Sequence, residues 1–282
     1  MRMEEKLRQA AEWVRQADGL LLCAGAGMGV DSGLPDFRSK GGLWRTTLPF
    51  LGGGMNAFFR KSNPSWFKDK PAEAWEFYGG RLQAYRHVQP HEGFNILRKW
   101  SQRCPMGSFI YTSNVDEHFQ KAGFSPSRIV ECHGALMDLQ CTYNCHTGIW
   151  RWDGVIPERV GRRWFQSTTQ REAGWPRCPQ CKQIARPNVL LFGDFDWIDH
   201  KAKEQHRRFA QWLSSMQGKR LVIIESGAGT AIPTVRMKSE QYYTPQQPNL
   251  IRINPTESMG PFGTLSLHQG ALSTIKHIDA LL

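Results

Sequence analysis

Four cysteines fall in two close pairs, Cys141-x3-Cys145 and Cys178-x2-Cys181, a spacing that offers four thiolates to one tetrahedral ion. Zinc suits such a donor set, and a closed four-thiolate shell has no open position, so the metal would brace the chain and take no part in chemistry. His146 is an alternative ligand to Cys145, and buried cysteines without metal are the other reading. A second group begins at Gly25-Ala26-Gly27 and runs to Ser32-Gly33-Leu34-Pro35-Asp36-Phe37-Arg38. Glycines there let the backbone approach a pyrophosphate while free amides meet its charge. Val30 stands where a third glycine would complete the dinucleotide fingerprint, so a plain tight turn is the alternative. Tyr78 and Arg81, three apart, would share one helix face and could grip a carboxylate; the alternative is an aromatic packing helix with a solvated arginine. Asn114 and Asp116 stand where either could cap a helix starting near Glu117.

These groups need a scaffold. Leu7, Ala10, Ala11, Val14 and Ala17 recur at helical spacing, and Asp18-Gly19 ends that helix before the apolar run Leu20 to Cys23. Further apolar runs at Ser108–Thr112, Arg128–Cys132, Asn188–Phe192, Leu221–Ile224 and Leu250–Ile253 are separated by segments long enough for crossovers. The fold class expected is α/β, a doubly wound parallel sheet of the Rossmann type. Two stretches interrupt the pattern. Residues 39–90 hold Gly52-Gly53-Gly54, several aromatics and helical spacing over Pro71–Tyr85, and residues 137–186 hold the paired cysteines with few strand signals. The expected organisation is therefore a large domain of residues 1–38, 91–136 and 187–282, with a small domain of 39–90 (helical module) and 137–186 (zinc module).

Composition limits the function classes. A chain of 282 residues, 40% hydrophobic and 11% aromatic, can bury a substantial core. No run approaches the roughly 18 apolar residues of a membrane helix, and the start, Met1-Arg2-Met3-Glu4-Glu5, carries acidic charge where a signal peptide is apolar. A cytoplasmic, membrane-free protein is expected. Seven cysteines, an odd number with four paired in sequence, fit a reducing compartment and metal ligation better than a disulfide framework. The net charge of +11 attracts anions in general, but the basic residues form no continuous run, so dedicated nucleic-acid binding is not expected.

The loop Gly25 to Arg38 resembles the sirtuin family's Gly-Ala-Gly…Ser-Gly-Ile-Pro-Asp-Phe-Arg almost residue for residue. Thr112-Ser113-Asn114-Val115-Asp116 is similar to its Thr-Gln-Asn-Ile-Asp, and Glu131-Cys132-His133-Gly134 to the stretch carrying its catalytic histidine. Pro187–Asp194 resembles the segment that pairs with the substrate backbone through Val189, Phe192 and Gly193, with Asp194 where Glu is usual. Gly227–Pro233, including Gly229 and Thr230, and Ile253-Asn254-Pro255 resemble later phosphate and ribose contacts, with Gly270-Ala271 near the adenine end. The six segments keep the family's order.

The resemblance implies NAD as cofactor and acylated protein lysines as partners. The acyl oxygen attacks the ribose anomeric carbon as nicotinamide leaves, His133 acts as general base on a ribose hydroxyl, and O-acyl-ADP-ribose and free lysine result. Asn114 and Asp116 would hold the nicotinamide amide and ribose, Phe37 would shield the anomeric carbon, and Asp36 and Arg38 would order the loop. The Tyr78-x-x-Arg81 pair is similar to that of the sirtuin branch that removes succinyl and malonyl groups. This chain departs from that branch in Asp36, where Thr is common, and in Gly79-Gly80, which weaken a helix by about 1 kcal/mol each relative to Ala. Gly29 replaces a usual Ser, Ser113 replaces a Gln near the ribose, and Glu117-His118 follow Asp116. The alternatives are a protein mono-ADP-ribosyltransferase or NAD hydrolase, which the change at Ser113 could favour, and a non-enzymatic NAD or ADP-ribose sensor.

Overall fold

The computed structural model describes residues 2–35, 62–154 and 174–282. Its centre is a six-stranded parallel sheet of β1 (Gly19–Ala24), β2 (Ser108–Thr112), β3 (Ile129–Glu131), β7 (Leu221–Ser226), β8 (Leu250–Ile253) and β9 (Leu265–Leu267), ordered β3-β2-β1-β7-β8-β9. Strand β1 shows why both faces must be covered. Its even residues Leu20, Leu22 and Ala24 join one apolar cluster, while Leu21 and Cys23 join another. Alternate side chains point to opposite faces, so a strand apolar at every position is stable only between two layers.

One layer consists of α1 (Met3–Arg15), α4 (Glu92–Arg103) and α8 (Ala271–Asp279), which contribute Leu7, Phe94, Trp100 and Ile275. On the other, α6 (His200–Ser215) and α7 (Thr234–Gln241) contribute Phe209, Trp212 and Val235. Each fully buried Leu, Ile or Phe stabilises the fold by roughly 1.5–3 kcal/mol relative to exposure. Helix α1 stops at Arg15, and Gly19, expected to end the helix, already begins β1.

A second sheet has three antiparallel strands in the order β5-β4-β6, with β4 at Gly134–Cys141, β5 at Ile149–Arg151 and β6 at Ala185–Val189. This corrects the sequence reading of Asn188–Phe192 as another strand of the parallel sheet. The strand lies earlier, and beyond Val189 the chain curls through Gly193 at φ 65°. A short apolar run does not reveal which sheet it will join. The turn into β4 does so here. Gly134 has φ 77°, and a Cβ on it would lie 2.0 Å from the Asn188 carbonyl oxygen, so only glycine lets β4 fold back against β6.

The second sheet packs on α2 (Ser65–Asp69) and α3 (Pro71–His87) through Trp75, Leu82, Leu139 and Ala185, with Trp150, Trp152 and Trp175 at its rim. Trp75 donates its indole N–H to the Ala185 carbonyl at 2.9 Å. Helix α3 runs unbroken through Gly79-Gly80 because Trp75, Tyr78 and Leu82 are buried along one side, and that packing outweighs the glycines' poor propensity.

Candidate active site and metal centre

The loop after β1 and the loop after β7 meet where the strand order reverses, the crevice in which doubly wound sheets hold ligands. Their backbones cross in contact. A Cβ on Gly25 would stand 2.7 Å from Ala228 Cα, one on Gly27 2.8 Å from Gly227 Cα, and one on Gly227 (φ 64°) 2.2 Å from the Met28 amide nitrogen. Any side chain there would force the loops apart, so these glycines shape a backbone-lined cradle suited to a dinucleotide. The first loop is a short 3-10 helix over Ala26–Ser32, not a plain tight turn.

Polar side chains hold the cradle. Thr112 Oγ1 donates to the Ala24 carbonyl at 3.0 Å and accepts from the Asn114 N–H at 3.0 Å, and Asn114 Nδ2 donates to the Gly25 carbonyl at 3.1 Å. Asn254 Nδ2 donates to the Ala228 carbonyl at 3.0 Å, while its Oδ1 accepts from the backbones of Thr256 and Glu257. Ser113 extends from β2, its N–H donating to the Ala24 carbonyl. Ala271 is buried at the start of α8, and Asp31 from the first loop accepts the Leu272 N–H at 2.9 Å.

Three supports were not legible in the sequence. Thr230 donates through its N–H and hydroxyl to Glu257 at 2.9 and 2.6 Å, so a carboxylate faces Gly229-Thr230. Arg236 fastens that segment by donating to the carbonyls of Glu257 and Met259. His91 donates from Nε2 to the Met28 carbonyl and accepts the Gly93 N–H at Nδ1, which ties the first loop to α4.

Asp116 faces the first loop: a Cβ on Gly29 would lie 3.7 Å from its Oδ2, and its Oδ1 accepts the His118 N–H at 3.0 Å. It thus caps α5 (His118–Lys121), as the sequence allowed, with Glu117 at the cap in the left-handed region, φ 59°. Burial pushes the Asp116 carboxyl up to about 6, helped by Glu131 and opposed by the His118 N–H and Lys121. His133 occupies the corner between β3 and β4, and its carbonyl accepts the Leu190 N–H at 3.0 Å. Burial lowers its imidazole pKa, opposed by a hydrogen bond with the Ser113 backbone. His118 packs edge-on against Phe94, and burial with Lys121 pushes its ring down to about 4.

Val189 pairs with Gly134 beside His133. The amides that follow are already engaged: Leu190 with His133, Leu191 with Asp194 Oδ2 and Phe192 with the Ser62 carbonyl. Gly193 is exposed in the turn. Asp194 makes a two-pronged pair with Arg186 at 2.7 and 2.8 Å, both side chains at most 1% exposed, which fixes this segment onto β6. Tyr78 is buried against Phe67, and burial raises its phenol pKa. Arg81 lies against the rings of Phe77, Tyr78 and Tyr85 at 5.6, 6.0 and 5.6 Å and donates to the Tyr85 hydroxyl at 2.9 Å. The structure therefore brings Tyr78 and Arg81 together. Asp36, Phe37 and Arg38 lie outside the described residues.

The sulfurs of Cys141, Cys145, Cys178 and Cys181 lie within 4.8 Å of one another, with Cys145 3.5 Å from Cys178 and Cys141 3.7 Å from Cys181. Four converging thiolates at the end of the antiparallel sheet fit a structural zinc ion. His146 Nε2 sits 3.3 Å from Cys178 Sγ, at the rim of that cluster. Among the described residues no helix is long and apolar enough to cross a membrane.

Fold and site together define a Rossmann-type dinucleotide-binding protein that carries a four-cysteine zinc module. The Sir2 family model matches residues 25–212, more than half of the chain, and the protein belongs to the Sir2 family. A NAD-dependent protein deacylase of Aquifex aeolicus is 30% identical over 175 residues, which cover 62% of each chain. A NAD-dependent protein deacetylase 2 of Geobacillus kaustophilus is 28% identical over 193 residues, 67% of this chain and 66% of that one. The match thus spans just under two thirds of these relatives' length. A solved Sir2 homolog–NAD complex shares the fold with a TM-score of 0.66 at 20% identity, covering 97% of this chain and 93% of that one.

Proposed function

We propose that this protein uses NAD to remove acyl groups from protein lysines, releasing nicotinamide and O-acyl-ADP-ribose. The observation that carries the reading is Asn114 bonded to the Gly25 carbonyl beside the loop crossing and Asp116 facing Gly29, with His133 hydrogen-bonded to the backbone of the neighbouring Ser113, in a chain of the Sir2 family whose relatives are named NAD-dependent protein deacylase and deacetylase. NAD supplies the anomeric carbon that accepts the acyl oxygen. Gly25, Ala26, Gly27, Ser113, Gly227, Gly229, Thr230, Asn254 and Ala271 bind it, with Asp36, Phe37 and Arg38 completing the loop. His133 serves as general base, and its lowered pKa keeps the imidazole neutral and able to take a proton near neutral pH. Asn114 and Asp116 orient the nicotinamide end.

Val189, Phe192 and Gly193 line the lysine entry. The amides of residues 190–192 are engaged internally, to the His133 carbonyl, Asp194 and the Ser62 carbonyl, and the Gly193 carbonyl accepts the Phe195 N–H. The Tyr78–Arg81 pair receives the acyl tail, and a guanidinium among three rings favours an acidic acyl group such as succinyl or malonyl alongside acetyl. Most of the site belongs to a domain of residues 1–38, 91–136 and 187–282, and Tyr78 and Arg81 come from the small domain of 39–90 and 137–186. The antiparallel sheet crosses both junctions at 136/137 and 186/187. The protein works in the cytoplasm on acylated proteins and not on nucleic acid.

Mass spectrometry of reactions holding NAD and acetyl- or succinyl-lysine peptide tests the reading. Peptide-dependent nicotinamide and O-acyl-ADP-ribose are expected, and His133→Ala should bind NAD yet stop turnover. Nicotinamide release without peptide, or ADP-ribose added to protein, would replace deacylation by the hydrolase or transferase alternative.

A further inference from the structure

Between β3 and β4 the chain turns at Cys132-His133-Gly134, and the two arms of that corner each carry a carboxylate: Glu131 ends β3 and Asp138 lies within β4. Both are nearly buried, at 3% and 7% exposure. A single ammonium joins them. Lys201, from the first turn of α6, places Nζ 3.1 Å from Glu131 Oε2 and 2.5 Å from Asp138 Oδ2. Gln120 Nε2 and Gln205 Nε2 also donate to Glu131 at 2.8 and 3.1 Å, and the Glu131 N–H donates to Gln205 Oε1 at 2.9 Å. No motif in the sequence pointed to this cluster.

We infer that Lys201 is a positioning residue for His133: its ammonium clamps Glu131 and Asp138 on the two sides of the corner and so fixes where the imidazole sits. The inference rests on the proposed role of His133. Salt bridges of half-exposed lysines usually contribute little, but here both partners are desolvated carboxylates that receive the same ammonium. Without it, two like charges face each other across the corner, and their repulsion loosens it. The clamp also has an electrical arm. Besides burial, Glu131 raises the Asp116 carboxyl, while Lys121, the His118 N–H and the Asp116 N–H lower it. On Asp138, Arg151 acts from β5. Removing the Lys201 charge strengthens the pull of Glu131 on Asp116 and moves its titration upward.

The test compares wild type, Lys201→Met, Lys201→Arg and the double variant Lys201→Met/Asp138→Asn, with turnover followed against pH in the presence of zinc. Displacing a catalytic group by a fraction of an ångström should lower kcat about tenfold in Lys201→Met with KM for NAD little changed. The acid limb of its kcat/KM profile should rise by about half a unit. Lys201→Arg should restore both, since arginine keeps the charge and can reach two carboxylates. An unmoved kcat and acid limb in Lys201→Met overturns the inference. If Lys201→Met fails to fold, judgement passes to the double variant, which removes one carboxylate together with the ammonium. Recovered kcat supports the clamp, and a folded double variant with no recovery overturns it. Should wild type show no peptide-dependent turnover, the deacylase reading fails by itself. The clamp is then judged on the His133 13Cε1–1H resonance, which should shift in Lys201→Met and return in Lys201→Arg; an unshifted resonance refutes it.

Discussion

Replacing Asp116 by Asn should make the protein more stable and less active, with the gain confined to one side of a pH threshold. Burial raises the Asp116 carboxyl from 3.8 to about 6. One pKa unit corresponds to about 1.36 kcal/mol, so the ionised group weakens the fold by at most about 3 kcal/mol. The folded state holds this proton more tightly than the unfolded chain does. The penalty is therefore complete above pH 6, shrinks as pH falls through that value, and vanishes below 3.8. Asn keeps an oxygen in place to accept the His118 N–H now bound at 3.0 Å, so the cap on α5 survives. Urea unfolding, extrapolated to water at a pH well above 6 and at one near 4, should show Asp116→Asn more stable at the first and equal to wild type at the second. A gain independent of pH, or a loss at high pH, would refute the argument. The same variant should lose turnover, since Asn cannot supply the charge that faces the glycine loop.

Asp194→Ala strands a buried guanidinium and should lower unfolding free energy by about 3–5 kcal/mol, whereas Arg186→Met/Asp194→Leu should recover most of it in denaturant titrations. KM for the acyl peptide should rise in Asp194→Ala, because residues 190–193 lose their tether to β6. Metal analysis should find a single zinc per chain, and Cys178→Ser or a strong chelator should remove it, with the fluorescence of Trp150, Trp152 and Trp175 reporting the loosened sheet. Arg81→Ala should reduce the succinyl-to-acetyl activity ratio about tenfold; an unchanged ratio assigns the ring-lined arginine to packing alone.

The elements that position the site were legible where a short stretch of sequence sufficed. Leu20 to Cys23, Ser108–Thr112 and Leu221–Ile224 read as buried strands because apolar side chains on both faces require two covering layers, and the glycines after β1 read as close approach to a pyrophosphate, whereas those after β7 are marked only by the family resemblance. What depended on distant partners was not visible. Residues 188–192 look like any buried strand until Gly134 turns β4 back against Asn188. Strand β9 is three residues long and gains its place only by pairing with β8. The Arg186–Asp194 pair, the Thr230–Glu257 bonds and the Lys201 clamp join charges from separate elements, and nothing in local periodicity announces them. At Gly79-Gly80 local propensity is poor, yet the helix expected from the spacing over Pro71–Tyr85 forms, because buried Trp75, Tyr78 and Leu82 maintain it.

The central claim is that the glycine-loop crossing, with Asn114, Asp116 and His133, couples cleavage of NAD to removal of an acyl group from lysine. The most direct measurement is the stoichiometry of a single reaction: nicotinamide, deacylated peptide and O-acyl-ADP-ribose, quantified together as acyl-lysine peptide is varied against fixed NAD. Equal amounts of all three, rising from zero with peptide, are predicted. Nicotinamide formed in excess of deacylated peptide, or formed equally without it, would contradict the account.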